Sequence, residues 1–214
     1  MIGLRFLTAL LVAMAILGFA FHIYSATDVA FKLARIEAKK LVYVFEMKTC
    51  GYCKLFNART LSDPSVRKVL DINYRVVIIY FSENPEMFRR FGVRGTPTIW
   101  FFDATEKGPR PITYLPGYAP PGIFVKVLKY VYRLPKIPFK EYIKKEDPFM
   151  GERKLLRVTE EEAEYVLKHD KDSIYAEDME DFRGEEYVYV TRNEDLAEKL
   201  LKKAYRVLLV GGEN

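Results

Sequence analysis

The sequence predicts an α/β fold with a central mixed sheet flanked by helices, followed by a smaller C-terminal α+β unit. Between residues 28 and 133 of the 214, the predicted order is helix, then strand–helix–strand–helix–strand–strand–helix. Half of the residues are hydrophobic, which is enough for a sizeable core. The two cysteines of the chain, Cys50 and Cys53, lie between the first predicted strand and the helix after it.

Local signals support each element in turn. The predicted helices are 28–40, 54–61, one from Pro64, 85–91 and 121–133; the predicted strands are 41–46, 74–81, 98–102 and 111–115. Asp63 is placed to cap the helix that begins at Pro64. Apart from Arg75, the run 74–81 is hydrophobic, which predicts a strand buried on both faces. Helix 121–133 carries Val127 and Tyr130 at helical spacing.

The spacing of Cys50 and Cys53 predicts reversible disulfide chemistry. On the first turn of a helix, the leading sulfur faces solvent and the helix N-terminus stabilises its thiolate. Cys50 is then the nucleophile, and Cys53 is the thiol that resolves the mixed disulfide.

Two other interpretations of the pair are a zinc half-site and an inert structural disulfide. A structural zinc ion needs four ligands, and beyond the two cysteines the only histidines are His22 and His169. We therefore predict no metal. A disulfide that closes so small a ring removes little entropy from the unfolded chain, so it would stabilise the fold poorly.

Residues 27–134 resemble a thioredoxin-like domain, in particular the extracytoplasmic thioredoxin-related proteins of the SoxW and DsbC/DsbG kind. The resemblance rests on segments in a specific order: 42–46 (VYVFE), 50–54 (CGYCK), 61–66 (LSDPSV), 91–98 (FGVRGTPT) and 116–118 (PGY). It implies that the Thr96–Pro97 bond is cis and that the Thr96 backbone pairs with a substrate strand beside Cys50. Proline makes a cis bond inexpensive and has no N–H to compete for that edge. The alternative for Pro97 is an ordinary turn proline.

The chain departs from ordinary thioredoxin at the dithiol. Thr49 stands where thioredoxin has Trp, and Gly51-Tyr52 replaces Gly-Pro, so the redox potential should differ. Gly-Tyr, and Thr before the cis-proline, resemble the isomerase branch of the family. That branch also carries a helical insertion and a dimerisation domain, for which this chain has no room. We therefore favour a reductase over an isomerase or oxidase.

Three further residues are candidates for the site. The buried aspartate of thioredoxin would fall at Val44, but Glu46 lies on the same strand face and is placed to accept the Cys53 proton if it is buried nearby. A solvated glutamate at a strand end is the alternative. Tyr52 and Tyr118 are candidates to line a substrate groove, with simple packing as their alternative.

The N-terminus predicts export. Arg5 precedes an apolar run over 6–21, the pattern of a secretory signal or a short membrane anchor within residues 1–26. A cleaved signal and a retained anchor both remain open, and a buried core helix is a third possibility. We expect a periplasmic or other extracytoplasmic location.

The composition changes after Leu134. Residues 135–150 combine prolines and lysines and are predicted to be a stiff basic linker. Residues 151–214 hold 17 acidic and 11 basic residues, whereas 27–150 hold 12 acidic and 22 basic, so the two parts are expected to dock. Residues 151–214 follow the order β-α-β-β-α-β, which predicts a small ferredoxin-like domain for partner docking or packing.

These features together predict an exported thiol–disulfide oxidoreductase. It needs no cofactor beyond the redox-active Cys50–Cys53 disulfide. By resemblance to SoxW-like proteins, its partners are protein disulfides, either of sulfur-oxidation carriers or of cytochrome c maturation proteins, with a membrane electron donor. We predict no nucleic-acid partner, because basic residues are interleaved with acidic ones. A non-catalytic protein-binding module is the alternative from another functional class.

Overall fold

The computed structural model describes residues 25–211, which form two four-stranded sheets. The strands of the first sheet are β1 (Lys40–Glu46), β2 (Tyr74–Tyr80), β3 (Thr98–Thr105) and β4 (Gly108–Pro116), in the spatial order β2-β1-β3-β4. β1 pairs parallel with β2 and antiparallel with β3, and β3 and β4 form a hairpin. This is a thioredoxin-like sheet, as predicted.

Five helices surround this sheet. They are α1 (Ala26–Ile36), α2 (Gly51–Leu55), α3 (Pro64–Asn73), α4 (Pro85–Arg90) and α5 (Pro121–Arg133). α2 runs directly into a π-helical segment, Phe56–Leu61. The predicted cap of α3 is present, because the Asp63 carboxylate accepts hydrogen bonds from the backbone N–H groups of Ser65 and Val66.

The central strand β1 separates two apolar clusters. Its side chains alternate between the faces of the sheet, with Val42 and Val44 in the cluster under α3 and α5, and Tyr43 and Phe45 in the cluster under α1 and α4. The prediction that the second strand is buried on both faces is wrong at Ile78, which is 38% exposed. The reason is topological: β2 is the edge strand of the sheet.

The second sheet follows the predicted order of elements but not the predicted topology. Its elements are β5 (Lys154–Val158), α7 (Glu160–His169), β6 (Ser173–Tyr175), a 3-10 turn (Met179–Asp181), β7 (Val188–Thr191), α8 (Glu194–Leu201) and β8 (Arg206–Val210). The spatial order is β5-β8-β7-β6, and every neighbouring pair is parallel. A ferredoxin-like arrangement, in which the middle two strands form an antiparallel hairpin, is therefore wrong. The connection 176–187 is long enough for a crossover, which parallel strands require.

The segment predicted as a linker lies against the first domain. It contains α6 (Phe139–Tyr142), whose Tyr142 is buried. The Lys126 and Lys129 ammonium groups of α5 donate hydrogen bonds to the carbonyl oxygens of Ile143 and Asp147, at 2.6 Å each. Residues 135–150 therefore follow the surface of α5 on the way to the second sheet.

The two parts of the chain share a buried contact. Leu33 and Ile36 of α1 pack into one cluster with Val158, Val166 and Leu208. α1 therefore contacts both sheets, covering β2 on one side and the second sheet on the other.

A buried ionic cluster completes that contact. Arg75 of β2 donates to Glu37, with 2.7 Å between Nε and Oε2, and to both carboxylate oxygens of Asp170 in the C-terminal part. Arg206 donates from Nε to the Glu37 carbonyl oxygen at 2.7 Å. Oppositely charged groups thus meet where the parts dock, as their net charges predict.

The predicted export segment lies outside the described residues. Within 25–211, no helix has both the length and the hydropathy needed to span a bilayer.

Candidate redox site

The two sulfurs lie where β1 ends and α2 begins. Cys50 is the N-cap of α2, and its Sγ accepts a hydrogen bond from the Cys53 N–H at 3.1 Å. Cys50 and Cys53 are joined in a disulfide. Cys50 is partly exposed, whereas Cys53 is 2% exposed. An incoming thiol or disulfide therefore reaches Cys50 first.

The position of Cys50 also favours its thiolate in the reduced state. The first N–H groups of a helix carry partial positive charge, and the N-cap sulfur already accepts one of them. Helix N-termini lower the pKa of cysteine for this reason.

The loop before β3 lies directly against this sulfur. The Thr96–Pro97 peptide bond is cis, and the Thr96 carbonyl oxygen is 3.3 Å from Cys50 Sγ. Two hydrogen bonds hold the loop: Thr98 Oγ1 donates to the Gly95 carbonyl at 2.7 Å, and the Gly117 N–H donates to the Pro97 carbonyl at 2.8 Å. The redox pair and the proline loop therefore form one rigid surface.

Glu46 is buried beneath the dithiol. It is 1% exposed and lines, together with Cys53, a cavity of about 330 Å³. Asn57 donates from Nδ2 to Glu46 Oε2 at 3.0 Å. Burial raises the pKa of the Glu46 carboxyl, and the hydrogen bond from Asn57 opposes that rise only in part. Among residues 25–211, neither Glu46 Oε1 nor Asn57 Oδ1 has a hydrogen-bond partner.

The remaining candidates divide into exposed and packed residues. Gly51 and Tyr52 are exposed beside the sulfurs, with Tyr52 at 67%. Tyr118 packs its ring edge-on against Phe56, with 6.4 Å between centroids. Packing is thus the interaction that the structure shows for Tyr118.

No candidate metal site accompanies the dithiol. In the described part of the chain, no group of three or more His, Cys, Asp or Glu side chains is arranged to hold an ion.

Sequence reasoning missed Asn57 and Arg94. Asn57 lies four residues after Cys53, so helical spacing would have put both on one face. Arg94 precedes the proline loop and lines a groove that begins at Thr96. The sequence signal that could have identified Arg94 is its position immediately before Gly95-Thr96-Pro97.

Residues 27–132 match the family model described as a thioredoxin-like domain. The chain carries a thioredoxin-like domain. No curated protein matches the sequence. A thioredoxin-like domain with a Cys-x-x-Cys disulfide at a helix N-terminus has the arrangement of a thiol–disulfide oxidoreductase.

Solved structures similar to the chain cover this thioredoxin-like domain. A thioredoxin from Thermus thermophilus is 31% identical over 48% of this chain and 80% of that chain, with a TM-score of 0.45. A thioredoxin-fold protein from Helicobacter pylori is 22% identical over 56% and 94%, with a TM-score of 0.45. The C-terminal domain of DsbD from Neisseria meningitidis, in the reduced form, is 23% identical over 49% and 92%, with a TM-score of 0.41. The SoxW and DsbC/DsbG branch stays a prediction.

Proposed function

We propose that the protein reduces disulfides of partner proteins in an extracytoplasmic compartment. One observation carries the proposal: the accessible sulfur Cys50 caps a helix and lies 3.3 Å from the Thr96 carbonyl, in the loop whose backbone would pair with a substrate strand. The predicted export segment supports the compartment.

The reaction has two exchange steps. The Cys50 thiolate attacks one sulfur of the client disulfide, and the other client sulfur leaves as a thiolate. The Cys53 thiolate then attacks Cys50 Sγ and the bond to the client breaks. Two electrons have passed to the client, which leaves with two reduced thiols, while Cys50 and Cys53 have become a disulfide. A membrane electron donor then restores the dithiol.

Glu46 is the proposed proton acceptor for the second step. Only the thiolate of Cys53 attacks, and this thiol is buried, so its proton needs an internal acceptor. Glu46 lines the same cavity and has one carboxylate oxygen without a hydrogen-bond partner among the described residues. Its raised pKa brings it closer to that of a thiol, which makes the transfer less uphill.

The proposed clients are sulfur-oxidation carrier proteins or cytochrome c maturation proteins, in line with the resemblance to SoxW-like proteins. Residues 1–26 would direct export and either be cleaved or remain as an anchor. The C-terminal part would serve partner docking or packing on the redox domain.

The redox potential of the dithiol tests the proposed direction. Residues 27–214 are equilibrated in glutathione buffers, and the state of Cys50 and Cys53 is read by alkylation. We expect a potential near about −270 mV, the value of a reducing thioredoxin. A value near about −120 mV would identify an oxidase or isomerase. If Cys50 and Cys53 do not interconvert between dithiol and disulfide, only the alternative of a non-catalytic protein-binding module would remain.

Glu46→Gln is expected to slow release of the client from the mixed disulfide by about 10²-fold, because the variant lacks a proton acceptor. Single-turnover release of a disulfide peptide measures the rate. The difference in release rate between the wild type and the variant should increase as the pH rises above the pKa of Glu46, because only the wild type then has a carboxylate at this position. Equal rates at every pH would contradict the assignment.

The same substitution should stabilise the protein at neutral pH. Because the pKa of Glu46 is raised above 4.5, the folded state disfavours the ionised form, and the wild type loses stability as pH rises through the folded pKa. Glutamine removes that cost. Urea unfolding measures the effect, and Glu161→Gln on the exposed face of α7 is the matched control, expected to change little.

A further inference from the structure

We propose that the groove beginning at Thr96 selects client segments that carry acidic and large apolar side chains next to the disulfide. This inference rests on the proposed function and names the substrate class that the site would take. The proposed occupant is an extended segment of a client protein.

The groove includes the residue that contacts the reactive sulfur, Thr96. It has a volume of about 620 Å³, and Gly95 and Thr96 form part of its wall. The Thr96 carbonyl oxygen lies 3.3 Å from Cys50 Sγ. A peptide seated along Thr96 would therefore lie next to Cys50.

The floor of the groove is aromatic. Trp100 stacks on Tyr114, with 4.8 Å between ring centroids, and tilts against Phe91 at 5.4 Å. Tyr114 is 54% exposed, although β4 is paired with β3 along the hairpin. The stacked rings of Trp100 and Tyr114 offer a rigid apolar surface that loses little conformational entropy on binding, which suits a large apolar side chain.

The rim of the groove carries positive charge. Arg94 lines it, and Arg89 and Arg90 end α4, just before Phe91. All three are exposed, and within the described residues none lies within 4.0 Å of a carboxylate. No acidic residue lines the groove, and the acidic residue of α4 is Glu86, in its first turn.

This charge pattern favours carboxylates on the client. A guanidinium pairs with a carboxylate through two parallel hydrogen bonds, and these three have no such partner of their own in the described structure. Arg110, on the neighbouring hairpin, already donates to Asp103 at 2.7 Å. Arg110 therefore provides a control, because it does not line the groove and has a carboxylate partner of its own.

The test uses three disulfide peptides that are identical except for the residues beside the cystine, which are Asp, Asn or Lys. We expect the reduced wild-type protein to reduce the Asp peptide about tenfold faster in kcat/KM than the Lys peptide, at low salt. In Arg94→Glu the preference for the Asp peptide over the Lys peptide should fall sharply. The preference should shrink as salt is raised, because exposed charges are screened. Arg110→Glu should keep the wild-type order.

A second peptide pair tests the aromatic floor. The two peptides carry Phe or Gly next to the cystine, and the wild type should prefer the Phe peptide. Tyr114→Ala should lower that ratio. Equal rates for the Asp, Asn and Lys peptides, or an Arg94→Glu variant that slows all three alike, would overturn the charge selection. A ratio that Tyr114→Ala leaves unchanged would overturn the apolar part.

Failure of the inference and failure of the proposed function have different signatures. Hydroxyethyl disulfide is small and uncharged, so its reduction reports the dithiol alone. A protein that reduces it without discriminating among the peptides refutes the inference only. A protein that fails to reduce it refutes the proposed function.

Discussion

A Cys50→Ser variant is expected to lose protein-disulfide reduction by at least about a thousandfold, down to the rate of the uncatalysed exchange. A serine hydroxyl is not ionised at neutral pH and cannot form the mixed disulfide. Cys53 cannot replace it, because its side chain is 2% exposed and a client disulfide does not reach it. Reduction of a disulfide protein, followed by the turbidity or fluorescence of the product, measures the loss.

Cys53→Ser is the matched control. Cys50 remains accessible at the N-cap of α2 and still attacks, but the mixed disulfide is not resolved. A stable covalent adduct with the client should accumulate and disappear on treatment with dithiothreitol. If Cys50→Ser retained wild-type turnover, the dithiol would be incidental and the protein a binding module.

An Arg75→Met variant is expected to lose about 3–5 kcal/mol of unfolding free energy at neutral pH. Methionine keeps much of the apolar stem but removes the guanidinium that contacts Glu37 and Asp170, whose side chains are fully or almost fully buried. Two carboxylates are then left in the interior without that partner. Urea unfolding followed by circular dichroism measures the change.

Arg192→Met is the matched control. Arg192 pairs with Glu160 on the surface, where both side chains are more than half exposed, so its loss should cost much less unfolding free energy than the loss of Arg75. Equal effects of the two substitutions would show that the buried cluster contributes no more than a surface ion pair.

The loss of stability on acidification should become smaller with the same substitution. Burial raises the pKa of Asp170, but the hydrogen bonds and charge of Arg75, together with the charge of Lys39 and the Asp172 N–H, outweigh it, and the pKa lies below its ordinary value of 3.8. The wild type therefore keeps this stability above pH 3.8 and loses it as pH falls through the folded pKa. Without Arg75, the largest opposition to burial is lost, so the pKa of Asp170 should rise and acidification should cost the variant less stability than it costs the wild type.

Several features of the fold and the site could be predicted from the sequence alone. Cys50 and Cys53 were identified by their spacing, and Thr96 and Pro97 by their place in the order of motifs. Asp63 before Pro64 predicted a helix start that the structure contains. Helix 121–133 was predicted with its observed bounds. Each of these depends on residues close together in the chain.

Other features depend on residues far apart in the chain. The pairing of Asn57 with Glu46 requires the π-helical segment to turn its amide toward the end of β1. Arg206 is almost fully buried, unlike most arginines, and donates to the Glu37 carbonyl across the contact between the parts. No local pattern distinguishes such an arginine from a surface one.

By itself, the sequence determined most of the helices and strands, their order, and the two cysteines that form the disulfide. Periodicity, caps and the Cys-x-x-Cys spacing act within a few turns of chain, so they can be read locally. Only the tertiary structure decided that β2 is an edge strand, that β6 runs parallel to β7, and that Glu46 is buried in the same cavity as Cys53. These outcomes follow from which distant apolar faces pack together, and strand order and direction are set by that packing.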